Sequence, residues 1–229
     1  MNFENNISAN KEDKSPKEQK IEKARQEVEN WGDALGMPLD GKIKEAIVML
    51  NVWGFPTGMS CEGHLDSGYP APWVTITADD NIEEFYENET EIYKQVAAKY
   101  GVSVEEVKKG DNMEAWKEAV NIIRQQPETK EAKLLREKNE KLKQKLQSLL
   151  EEFYQAREVT EEERLMLEDG AFDFMLHNGG KFFIPNEMEF RWAELSQADR
   201  DRKGEVLEAA QMEMEKFSNF LKTKYLKHE

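Results

Sequence analysis

The chain has 229 residues, 38% hydrophobic and 34% charged, and its 32 Lys and Arg against 47 Asp and Glu give a net charge of −15. That length suits one elaborated domain or two small ones, and a charge content above the roughly 25% usual in globular domains points to long solvated helices. So acidic a chain repels the phosphate backbone on average, which sets nucleic acid aside as a general partner, and its longest apolar run, 46–50, falls far short of the roughly 20 residues a membrane helix needs.

Residues 1–16 carry charge and almost nothing to bury, which predicts a disordered tail with no apolar leader. Cys61 is the lone cysteine, so an intrachain disulfide is excluded and a reducing cytoplasm is the expected compartment. Ile21, Ala24, Val28, Trp31 and Leu35 recur at helical spacing between Pro16 and Gly36, predicting a first helix over 16–34. Asp40 is placed to cap a second helix whose apolar face is Ile43, Ile47 and Leu50. Residues 55–61 then read as a strand, 62–72 as a loop rich in Gly and Pro, and 73–78 as a strand on the alternation of Trp73-Val74-Thr75-Ile76-Thr77.

Helical patterns resume over 82–100, in a short segment opened by the Ser103 to Glu106 capping box, and from Asp111 to Gln126. Residues 129–158 contain neither Gly nor Pro and place Ala132, Leu135, Asn139, Leu142, Leu146, Leu149, Phe153 and Ala156 on a heptad seam, with Asn139 as the polar residue that fixes register. The acidic turn Glu161-Glu162-Glu163 after Thr160 predicts another helix start, residues 181–184 read as a short strand, and 197–226 carry a second seam. The expected fold is α+β and predominantly helical: a small antiparallel sheet from 55–61, 73–78 and 181–184 covered by helices, with a long helical hairpin or coiled-coil elaboration. The expected organisation is a tail at 1–16, an α+β domain at 17–126, a long helix at 127–159, and a return over 160–229.

Chemically capable side chains concentrate in residues 54–74, G-F-P-T-G-M-S-C-E-G-H-L-D-S-G-Y-P-A-P-W-V. Three functional readings compete there. Cys61 and His64, spaced C-x-x-H about Gly63, suit zinc, with Asp66 or Glu62 adding oxygen and His177 a further candidate ligand. Cys61 as nucleophile with His64 as base suits covalent catalysis, helped by backbone N–H groups in the turn. Thr57, Ser60, Glu62, Gly63, Asp66, Tyr69 and Trp73 suit a small-molecule pocket, the aromatics as walls and the polar groups as contacts. A purely conformational role, with Cys61 a buried small hydrophobe and His64 bonded to a loop carbonyl, competes with all three.

The phrase Thr57 to His64 followed by Pro72-Trp73-Val74 resembles a segment of uncharacterised bacterial proteins, over about residues 42 to 78. The resemblance implies no established activity. More remotely, T-x-x-S-C-E-G resembles the S-C-x-G segment of the methyltransferases acting in wybutosine synthesis on transfer RNA, which have Arg where this chain has His64. The stretch Lys130–Gln147, with seven Lys or Arg and three Glu, reads as the solvated face of a helix. Walker, G-x-G-x-x-G, H-E-x-x-H and G-x-S-x-G motifs are all missing. The leading expectation is therefore a module binding a small ligand or metal ion at the Ser60–His64 loop, with catalysis an open extension. The alternative is an interaction protein that acts, or self-associates, through its long helices.

Overall fold

Ser15 opens the first helix with a reciprocal cap, its hydroxyl accepting the Glu18 N–H while the Glu18 carboxylate accepts the Ser15 N–H at 2.7 Å. The structure is a computed structural model and describes residues 14–32, 38–65, 71–78, 81–161, 163–178 and 197–227. Its contacts fall into two units: 1–54 with 61–72 and 184–229, and 55–60 with 73–183. Among the described residues no helix is long and apolar enough to cross a membrane. The fold is α+β and predominantly helical, with a small four-stranded antiparallel sheet.

The first unit holds α1 (Pro16–Glu29), α2 (Gly41–Val52) and α7 (Gln197–Lys227). Helix α2 is apolar on nearly every side: Ile43, Ala46 to Leu50 and Val52 are all buried. Such a helix must be surrounded to be stable, and α1 and α7 both lie against it. Helix α7 contributes Leu207, Ala210, Met214, Phe217 and Leu221 at alternating steps of three and four, all buried. Its end is fixed by the Trp53 indole, which donates to the Leu221 carbonyl at 3.1 Å. Helix α1 is tied to α2 by Arg25, whose guanidinium meets the Glu45 carboxylate at 2.8 and 3.3 Å. The helix expected over 16–34 stops at Glu29, where Asn30 caps it, and Trp31 just beyond is exposed.

The second unit carries the sheet, in the order β1 (Thr57–Cys61), β2 (Trp73–Ile76), β4 (Phe174–Asn178), β3 (Leu165–Asp169); Cys61 alone of these belongs to the first unit. Strand β2 runs antiparallel to β4, with Trp73 opposite His177, and β3 runs antiparallel to β4, with Leu165 opposite Asn178. Helices α3 (Glu89–Tyr100), α4 (Val104–Lys109) and α5 (Met113–Ile123) close a separate cluster around Ile92, Val96, Val107 and Ala119. Helix α6 (Lys130–Tyr154) lies against β3.

Other sequence expectations change as well. The helix expected from Thr160 is the β3–β4 hairpin. Asp169-Gly170 starts its turn, and Gly170 donates to the Asp173 carbonyl at 3.0 Å, so the turn pair outweighs the acidic run that suggested a helix start. The helix expected from 82 begins at Glu89, because the Glu89 carboxylate is spent on the N–H groups of Phe85 and Tyr86. Of the seam expected along α6, Ala132, Leu135, Leu146, Leu149 and Phe153 are buried, whereas Leu142 is half-buried and Ala156 is exposed beyond the end of the helix. Asn139 there bonds the Ala78 N–H and the Phe172 carbonyl instead of a second helix, which makes it a latch on loops of its own chain. The strand expected at 181–184 and residues 1–13 of the expected tail lie outside the described residues.

Candidate metal centre

Asp40 sits at the N-cap of α2, yet its side chain makes no bond to that helix. Its Oδ2 instead accepts the Glu62 N–H at 3.1 Å, and the Glu62 carboxylate accepts the Lys42 N–H, in the first turn of α2, at 2.9 Å. Two acids have exchanged tasks. The orphan donor of the helix is met by a carboxylate from the loop, which suits the positive end of the helix dipole. Asp40 is thereby released to face the loop.

Gly63 makes the loop turn back. Its φ of +84° is left-handed, and a Cβ there would lie 2.6 Å from Leu207 Cδ1 and 2.8 Å from the Ala71 carbonyl carbon, so only glycine fits. Its N–H donates to Cys61 Sγ at 3.3 Å. His64 follows, with Nε2 3.6 Å from Asp40 Oδ2. One donor atom each from Asp40, Cys61 and His64 consequently lies within 4.8 Å of the others, and this is the one such grouping of three among the described residues. Tetrahedral ligands at zinc bond lengths stand about 3.3–3.8 Å apart, so the triad needs only a small inward movement. All three side chains are half-buried.

Electrostatics distinguish the possible uses of the thiol. Burial pushes the Cys61 pKa up; the Gly63 N–H works against this, and the Asp40 and Glu62 carboxylates add to the rise. A nucleophilic cysteine needs positive surroundings. Here the charges acting on the thiol are the carboxylates of Asp40 and Glu62.

Of the other residues singled out from sequence, Glu62 and Gly63 build the loop as described. Thr57 and Ser60 lie half-buried on β1, and Trp73 on β2, all in the second unit. His177 is also there, buried on β4, with Nδ1 2.7 Å from the Asn178 carbonyl and Nε2 3.2 Å from Glu168 Oε2. Asp66, Tyr69 and His228 lie outside the described residues. Sequence reasoning missed two contributors. Asp40 had the signature of an ordinary helix cap, and Gln211 on α7, which donates to the Glu62 carbonyl at 2.8 Å, sat unnoticed beside an apolar seam. Neither position carries a local signal, because both act through tertiary contacts.

Comparison with protein-family models, curated proteins and solved structures finds no match for this chain.

Proposed function

We propose that this chain binds a divalent transition-metal ion, zinc foremost, through Asp40, Cys61 and His64, leaving a fourth position for water or a small ligand. The support is the convergence of a carboxylate, a thiol and an imidazole from separate points of the chain to within 4.8 Å. Thiolate and imidazole together suit zinc, and three protein ligands with one open position is the arrangement of exchangeable or catalytic zinc. The two anionic ligands cancel the charge of the ion. Water bound there is acidified less than at a three-histidine site, which favours binding a ligand over generating hydroxide. Covalent catalysis by Cys61 has less support, since burial and two carboxylates hold its proton on.

Equilibrium dialysis of purified protein against zinc, followed by metal analysis, tests this reading. About one ion per chain is expected, falling well below half in each of Cys61→Ser, His64→Ala and Asp40→Asn. Undiminished uptake in all three variants would show that any metal sits elsewhere.

A further inference from the structure

Gln211 is a buried polar residue, 8% exposed, next to the apolar seam of α7. A buried amide is tolerated when both of its ends are bonded, and here both are. Its Nε2 donates to the Glu62 carbonyl at 2.8 Å and its Oε1 accepts the Lys42 ammonium at 2.6 Å. The Glu62 carbonyl and the Gly63 N–H belong to one planar peptide unit. Fixing one end fixes the other, and that other end is the donor to Cys61 Sγ at 3.3 Å. The same face of α7 seats the loop on either side. Leu207 packs where a Cβ of Gly63 would stand, and Gly204 leaves room for Leu65, whose Cδ1 would lie 3.6 Å from a Cβ at that position.

We propose that Gln211 is a positioning residue of the Asp40–Cys61–His64 centre: through the Glu62–Gly63 peptide it aims a hydrogen bond at the sulfur ligand, a role that rests on the metal-binding reading. A bond from N–H to sulfur stabilises the thiolate without occupying a coordination position. It also holds Cys61 in the orientation that His64 and Asp40 share. Lys42 completes the arrangement, its backbone N–H on the Glu62 carboxylate and its ammonium on Gln211, so that Glu62 is gripped at both carboxylate and carbonyl.

Cobalt(II) serves as the probe, because its thiolate charge-transfer band reports the Cys61 ligand directly. Affinity and band position are measured for the full chain and for Gln211→Met, Gln211→Glu and Lys222→Gln, with far-UV circular dichroism as the check on folding. Gln211→Met removes both hydrogen bonds at similar volume. Gln211→Glu keeps a partner for Lys42 and loses the donor to the Glu62 carbonyl, so it remains informative if the apolar variant fails to fold. Both Gln211 variants should bind cobalt 10- to 100-fold more weakly, in the range for loss of an outer-shell partner, with a shifted band. Lys222→Gln, on the same helix as Gln211, removes an ion pair with Glu45 of α2 and should change neither. Folded Gln211 variants with unchanged affinity and band would overturn the positioning role alone. Unmodified protein that takes up no cobalt would overturn the metal reading and this role with it.

Discussion

His177 shows how one buried side chain gives the molecule a pH limit. Burial lowers its pKa, outweighing the Asn178 carbonyl and the Glu168 carboxylate, which both act to raise it. A depressed folded-state pKa means that the unfolded chain binds the proton first. The stability contributed by the neutral imidazole is therefore fully present above the ordinary histidine value and is lost as pH falls through the folded value. Urea unfolding of the protein and of His177→Gln across pH 7.5 to 4.5 should show a gap that narrows on acidification. Parallel curves would mean that the ring is protonated without penalty in the folded state. Gly63 and Asp40 teach a related lesson at the same scale. Gly63 was legible as a turn residue, whereas the release of Asp40 from capping depends on Glu62, which only folding brings to the start of α2.

Local chemistry decided how well each element could be read. Strand β2 announced itself through alternation, and α4 through its capping box, because both signals lie within the element itself. The buried stripe of α6 was equally clear in sequence, but a stripe shows what is covered and not what covers it. The β3–β4 hairpin was missed although Leu165 and Leu167 alternate before an Asp-Gly pair, since three consecutive glutamates offered a competing helix start. Asn139 ties α6 to two loops. Its amide serves the Ala78 N–H at 2.6 Å and the Phe172 carbonyl at 2.7 Å. Asn139→Leu leaves both backbone groups short of a partner, and roughly 1–3 kcal/mol of stability should be lost in chemical denaturation. A neutral or stabilising result would mean that water or local rearrangement replaces the latch.

Over the whole molecule, reading along the chain delivers contiguous blocks, while the contacts assemble both units from separated segments. The candidate centre inherits that property. Asp40 and the 61–64 turn come from the first third of the sequence and Gln211 from near its end, and they meet inside the first unit. Cys61 and His64 were legible because they are three residues apart, and their third partner was not, because 21 residues separate it from the thiol. Metal uptake by such a site should be linked to the folding of that unit, since the unfolded chain brings no three donors together. Cobalt(II) titration of the unmodified protein, read in the near ultraviolet and visible, asks whether Cys61 ligates a metal at this centre. Saturation near one ion per chain is expected, with a thiolate-to-cobalt charge-transfer band that Cys61→Ser abolishes. A titration without that band, or a band that survives Cys61→Ser, would contradict ligation by Cys61.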